Sequence, residues 1–417
     1  MIQIKHVEIE ILGGQNQIGG NIILIGYAGQ QILLDIGMPL EGNGFTPGPE
    51  PVVEKLKSVS YCLISHSHQD HWGYMDLLPK SCVIYSGLDT QSLIRMTRFV
   101  THRPFIDLNW RTFQSEQLLE LGEFSITPYL IDHSAFDAHA FLVCVGGVNL
   151  FYTGDIRFHG RKKVLSLKLA QRLKQTQIDL LLTEGTNLTN LQSSSRKKSE
   201  SDLEDEFVKC FSANQLPAIV QMSGQNIDRL VTIFRACLKT NRMLVLDPYT
   251  AFVLSRLNHG KIPKLGGHWG IQVLMPEKEK MWESLGIVST KVEWMGTEAL
   301  EYEDLRTHQN YVLLFRYWIG QALATHDILP SGSSFIYSMS SYYLDHMSQQ
   351  WGELAPRIQS GDLKFYQIHA SGHAYPDDLI HFIDTIKPDT ILPIHTMDPE
   401  WFQRFGKKIL HDGDTIE

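Results

Sequence analysis

Ser65-His66-Ser67-His68-Gln69-Asp70-His71-Trp72-Gly73 puts three imidazoles and one carboxylate within six positions. The apolar run Tyr61-Cys62-Leu63-Ile64 precedes it and reads as a short buried strand running out into a loop. Residues two apart on an extended chain point the same way, so His66 and His68 can grip one metal ion. Asp70 and His71 fall past the strand end and can turn toward a second. Neutral imidazole suits zinc, and a carboxylate adds charge and hardness. The competing reading is a polar loop with coincidental histidines. Three of so rare a residue, at this spacing behind a strand, seldom arise by chance.

Composition bounds what else the chain can be. Its 417 residues, 43% apolar and 20% charged, suit a globular protein with room for two domains. No apolar run reaches the length of a membrane span. Met1 to His6 lacks the apolar core of a signal peptide, so a cytoplasmic location is expected. The five cysteines are scattered without a C-x-x-C pair and read as reduced thiols, not as a thiolate zinc site. A net charge of −9 argues against a protein that coats nucleic acid. It does not exclude a nuclease, because bound metal ions add charge that the formal count omits.

Further chemistry-bearing residues recur at strand ends. His6 to Leu12, Ile22 to Ile25 and Ile32 to Gly37 read as strands joined by glycine turns, the last ending in Asp35. The strand from Phe124 ends in Asp132-His133-Ser134, and the strand Asn149 to Tyr152 ends in Thr153-Gly154-Asp155. Strand ends are where a layered fold gathers its site. His139 and His159 lie nearby and read as ordinary polar residues. Ile178 to Thr183 is a strand ending in Glu184-Gly185-Thr186.

The polar stretch Gln192 to Ser199 reads as a linker. Beyond it the rhythm changes to strands alternating with helices, which implies a parallel α/β unit. Ser201-Asp202-Leu203-Glu204 reads as a capping box, and Glu303 to Thr325 as mostly helix. The end of the chain returns to histidines: Ile368-His369-Ala370-Ser371-Gly372-His373-Ala374, then Ile391-Leu392-Pro393-Ile394-His395.

The histidine cluster resembles the signature of the metallo-β-lactamase superfamily, and Asp35, His133 and Asp155 follow in that family's order. The final histidine, His395, comes only after a segment of domain size. That layout is similar to the β-CASP nucleases, whose cap domain is inserted into the metallo-β-lactamase domain. Glu184-Gly185-Thr186-Asn187, Ser371-Gly372-His373-Ala374 and Pro393-Ile394-His395 match the three further motifs of that subfamily. The Ser-Gly-His-Ala wording is closest to ribonuclease J, whose long C-terminal extension has no counterpart here. Thr396 stands where a glycine commonly follows the last motif.

The resemblance implies an α/β fold: a metallo-β-lactamase αββα sandwich with an inserted β-CASP cap. Residues 1–195 and 356–417 would form the sandwich and 196–355 the cap. It implies two zinc ions, with manganese as an alternative metal. His66, His68, His133 and Asp155 would hold one ion; Asp70, His71, Asp155 and His395 would hold the other. Asp35 would support the ligands through hydrogen bonds. Asp70, Glu184 and His373 would act in catalysis, with His369 as an optional assistant, and Ser371 and Gly372 would meet a phosphate. The implied function is hydrolysis of single-stranded RNA, endo- or 5′-exonucleolytic, by attack of a dizinc-bound hydroxide on phosphorus. Related enzymes often dimerise, so a homodimer is the corresponding expectation. Two alternatives stay open: a metallo-hydrolase of a small ester, thioester or nucleotide, and a non-catalytic scaffold.

Overall fold

The computed structural model describes residues 1–40, 49–103, 108–188, 197–257, 259–266, 269–275, 299–325, 328–410 and 415–416. Most of the predicted linker, residues 192–196, lies outside the described residues. The chain divides into two compact units. One comprises Met1–Arg95, Phe105–Arg196 and Gly372–Glu417; the other comprises Met96–Pro104 and Lys197–Ser371.

The first unit is built on two sheets. One runs in the order Thr415–Ile416, Ile2–Ile4, Val7–Gly13, Ile22–Tyr27, Gln30–Ile36, Val59–Leu63, Val83–Gly87 and Asn109–Phe113. Thr415–Ile416 pairs parallel with Ile2–Ile4, and Ile2–Ile4 through Gln30–Ile36 pair antiparallel, as the glycine turns predict. From Gln30–Ile36 onward the pairings become parallel. The other sheet runs Lys408–Ile409, Thr390–Pro393, Leu180–Thr183, Val148–Tyr152, His139–Val145, Phe124–Leu130 and Leu119–Leu121.

Three apolar clusters stack these sheets into layers. Ile23, Ile25, Leu34 and Leu63 of one sheet meet Phe141, Val143, Leu150, Leu182 and Leu392 of the other. The outer face of the first sheet (Leu33, Cys62, Ile64) packs on Val52 and Leu56 of the helix Pro49–Leu56. The outer face of the second (Phe151, Leu181, Ile391) packs on the helices Lys163–Leu173 and Pro376–Ile386. Alternate residues of one strand thus serve different layers, as the period of two requires. The order is helix, sheet, sheet, helix. At about 25 cal/mol per Å², this burial is the main force holding the layers together.

The second unit carries one sheet: Ala299–Leu300, Ile271–Leu274, Met243–Leu246, Tyr311–Phe315, Ala218–Gln221, Ser334–Tyr337 and Lys364–Gln367. Every pairing in it is parallel. It includes Lys364–Gln367, which lies past residue 355.

Two local expectations are corrected. Glu303 to Thr325 is not one helix, because the strand Tyr311–Phe315 separates the helices Tyr302–Thr307 and Tyr317–Thr325. The run Tyr-Val-Leu-Leu-Phe is buried on both faces, so its alternation is lost and a central strand imitates a buried helix. The capping box sits two residues earlier than predicted. Ser199 Oγ accepts from the Asp202 N–H at 3.2 Å, and Asp202 Oδ2 accepts from the Ser199 N–H at 2.8 Å. Asp202 has the reach of a box residue, so the helix Glu200–Ser212 starts there.

All five cysteines are free thiols, four of them buried. Among the described residues no helix is long and apolar enough to cross a membrane.

Candidate metal centre

The strand Val59–Leu63 carries the chain to Ser65, and a one-turn helix, Gln69–Trp72, follows. The Trp72 indole donates to the Ser67 carbonyl at 2.8 Å and locks the intervening loop. Gly37 allows this turn to close, since a Cβ there would lie 1.7 Å from the Asp70 carbonyl oxygen.

Asp155 lies at the middle of the cluster. Gly154, at φ +53°, turns the end of the strand Val148–Tyr152 so that the carboxylate faces the histidines. Asp155 Oδ2 is 3.2 Å from His71 Nε2, 3.6 Å from His395 Nε2 and 3.7 Å from His66 Nε2. It is also 3.7 Å from His373 Nδ1 and 3.9 Å from His133 Nε2. His68 Nδ1 stands 3.2 Å from His133 Nε2, and Asp70 Oδ2 stands 3.2 Å from His395 Nε2. Two sets of donor atoms share Asp155: His66, His68, His133 with Asp155, and Asp70, His71, His395 with Asp155; Glu184, His373 and His395 form a third group beside them. Within each set all donor atoms lie within 4.8 Å of one another.

These residues fit a metal ion. His66 Nε2, His71 Nε2 and Asp155 Oδ1 are buried without a hydrogen-bond partner, and such orphans are rare in folded proteins. Zinc bonds of about 2.0–2.1 Å in a tetrahedron separate the donor atoms by about 3.3 Å, close to the shorter separations here. Burial, with His71 and His133 nearby, pushes the His66 pKa well down. Burial pushes His68 down to about 4, and burial with His68 nearby lowers His133. Neutral imidazoles are the form that binds metal. Burial opposes ionisation of Asp155, but His395, His71 and His373 outweigh it and hold the carboxyl well below its usual range. Burial likewise opposes Asp70, yet His71 and His395 bring it down to about 2.

A surrounding shell of hydrogen bonds holds the donors. Asp35, at φ +58°, accepts from the Ser65 N–H at 2.6 Å, the Ser65 hydroxyl at 2.7 Å and the Tyr152 hydroxyl at 2.5 Å. His71 Nδ1 lies 2.7 Å from the same carboxylate, which fixes a proton there; burial opposes the cation, but Asp155, Asp35 and Asp70 hold the ring's pKa well up, so Nε2 becomes a ligand atom when a metal displaces its second proton. Asn21 donates to the Tyr152 oxygen at 3.1 Å. His133 Nδ1 donates to the Gly372 carbonyl at 2.6 Å.

Glu184 Oε1 lies 3.4 Å from His373 Nδ1. Burial lowers the His373 pKa, but Glu184 and Asp155 overcome it and raise it to about 9. Ser371 is the last residue of the second unit. His369 lies in that unit, half-buried.

His139 and His159 are buried but belong to neither donor set. His139 Nδ1 faces the Asp137 carbonyl at 2.9 Å, and burial pushes its pKa down to about 4. His159 packs against Tyr375. Sequence reasoning overlooked Ser65, Tyr152, Asn21 and Thr186. Ser65 and Thr186 stand inside the quoted motifs without a role assigned to them, and that membership was the available signal. Tyr152 and Asn21 looked like ordinary strand and turn residues.

Comparison with known proteins agrees with this geometry. Residues 16–208 match the metallo-beta-lactamase superfamily. That stretch is a metallo-beta-lactamase superfamily domain. Residues 362–413 match the Zn-dependent metallo-hydrolase RNA specificity domain. Ribonuclease J of Mycobacterium tuberculosis (strain CDC 1551 / Oshkosh) is 22% identical over 411 residues, covering 93% of this chain and 68% of that protein. Ribonuclease J of Mycoplasma genitalium is 22% identical over 94% of this chain and 68% of that protein. Endoribonuclease ysh1 of Aspergillus fumigatus is 28% identical over 42% of this chain and 22% of its own length. These relatives are β-CASP proteins. A crystal structure of an Enterococcus faecalis V583 protein of unknown function shares this fold. Its TM-score is 0.78 and its identity 21%, over 97% of both chains.

Proposed function

We propose that this chain is a metal-dependent phosphodiesterase that hydrolyses RNA. One observation carries the reading: two sets of ligand-ready donors share Asp155, a carboxylate with an orphaned oxygen. The matched RNA specificity domain and the names of the relatives support RNA as the substrate.

His66, His68 and His133 would hold one zinc ion, and Asp70, His71 and His395 a second, with Asp155 common to both. Zinc so bound supplies Lewis acidity and a water acidified to a pKa near ~7. Asp35 keeps His71 in the ligating tautomer through its hydrogen bond. His373 is held as a cation at neutral pH and faces the phosphate as an electrostatic partner. It also holds a proton to pass to the leaving oxygen. Glu184 orients that imidazole and keeps it charged. Ser371 and the Gly372 N–H are assigned to a neighbouring phosphate. Residues 196–355, which fall almost wholly in the unit of Met96–Pro104 and Lys197–Ser371, are assigned the role of a β-CASP cap, and a homodimer is part of the proposal.

The test uses labelled single-stranded RNA and DNA of one sequence, each bearing a 5′-monophosphate or 5′-hydroxyl, with zinc or manganese. RNA cleavage that disappears in His68→Ala is expected. Dependence on the 5′ group would mark an exonuclease resembling ribonuclease J. Intact RNA in the presence of fully metallated protein would overturn the reading.

A further inference from the structure

Thr186 lies between the two late histidines. Its hydroxyl oxygen is 2.9 Å from His395 Nδ1 and 3.1 Å from His373 Nδ1, with the His395 carbonyl at 3.4 Å. A threonine hydroxyl has one proton to donate and two lone pairs to accept with. His395 directs Nε2 toward Asp70 and Asp155, so that nitrogen is the ligand atom and the ring proton is on Nδ1. His373 Nδ1 stands beside the carboxylates of Glu184 and Asp155, which places a proton there too. Two imidazole donors therefore meet two lone pairs, and the hydroxyl proton is left for the His395 carbonyl. One hydroxyl thereby fixes the ring tautomer of His395 and the orientation of the His373 ring beside it.

The rest of the turn serves the same end. Glu184 Oε2 accepts from the Thr186 N–H at 3.0 Å, which holds the threonine in place. Asn187 donates to the carbonyls of His373 and Ala374, each at 3.0 Å. His395 itself sits at φ +49°, a strained backbone for a non-glycine residue. It is held by donation from its N–H to the Gly14 carbonyl at 2.6 Å. Such strain persists only where the surroundings over-determine it.

We propose that Thr186 is a positioning residue that sets His395 as a metal ligand and aligns His373 beside it. The inference rests on the reading that Asp70, His71, Asp155 and His395 hold an ion. Its test therefore measures metal binding and not cleavage. Zinc stoichiometry and affinity are determined by competition with a chromophoric chelator, and cobalt is titrated to read the ligand field of each site. Wild type is compared with Thr186→Val, which keeps the shape and removes the hydroxyl, and Thr186→Ser, which restores it. Thr186→Val is expected to weaken the more labile ion about 10–100-fold and to alter its cobalt spectrum. Thr186→Ser is expected to recover both. Equal affinity and spectra in Thr186→Val and wild type would overturn the positioning role alone. Wild type that takes up a single ion would overturn the two-site reading beneath it. Should Thr186→Val fail to fold, Thr186→Ala and Thr186→Ser decide: loss in Ala with recovery in Ser supports the role, and equal binding in both overturns it.

Discussion

Each unit buries charge, and the two do so in opposite ways. In the second unit Arg229 is fully buried against Glu200. Its Nε and Nη2 donate to that carboxylate, and Nη1 donates to the Ser338 carbonyl and hydroxyl. Nη2 also reaches the Ala370 carbonyl, and Thr232 donates to Glu200. The chain itself supplies partners to both charges. In the first unit Asp155 and its histidines are equally buried, yet His66 Nε2, His71 Nε2 and Asp155 Oδ1 lack a hydrogen-bond partner. A buried charge satisfied by its own chain is architecture. A buried group of acceptors left open is a binding site, because desolvating them without compensation is unfavourable.

This contrast can be broken by experiment. The largest effect is expected from Asp155→Asn, which removes the shared anion. Metal content should fall and RNA cleavage should drop by about 10⁴-fold or more, as read by metal analysis and a gel assay. Near-normal metal content would remove Asp155 from the centre of the site. Arg229→Met comes next. It strands the Glu200 carboxylate and should destabilise the protein by about 3–5 kcal/mol in urea unfolding, while metal content per folded molecule stays constant. Adding Glu200→Met should recover much of that loss, because a buried pair replaced whole is often neutral. A single variant that unfolds no more easily than wild type would show that the pair is not structural.

Metal removal sharpens the contrast further. Chelation should lower the melting temperature of wild type, since a ligand at about 100 times its Kd stabilises by about 2.7 kcal/mol. Asp155→Asn should show little such shift. The smallest effect concerns His139, buried and outside both donor sets. Its folded pKa is depressed to about 4, against about 6.5 when unfolded. Its neutral form is therefore the folded form. Its contribution is fully present above pH ~6.5 and is lost as pH falls from there toward about 4. The stability difference between wild type and His139→Asn should shrink across that window in chelated samples. A difference that grows on acidification would contradict the burial argument.

Much of the first unit was legible in the chain. Alternating strands, glycine turns and the H-x-H-x-D-H run state their local geometry directly, because a period of two is visible in side-chain order. The same logic failed at Tyr311–Phe315, where burial on both faces erased the alternation. The capping box slipped by two residues because Ser199 and Ser201 both precede an acid by three positions, and only hydrogen bonds distinguish them.

The sequence by itself determined which side chains can ligate, their order along the chain and their places at strand ends. Only the tertiary structure decided how they meet. Asp155 became the common neighbour of five imidazoles, Asp35 the acceptor for Ser65, Tyr152 and His71, and Thr186 the oxygen between His373 and His395. Those partners are as much as 240 residues apart (395 − 155), as Asp155 and His395 are. Their meeting depends on sheet register and on the stacking of two sheets. Local periodicity encodes which way a side chain faces, and only the packed layers decide what it faces.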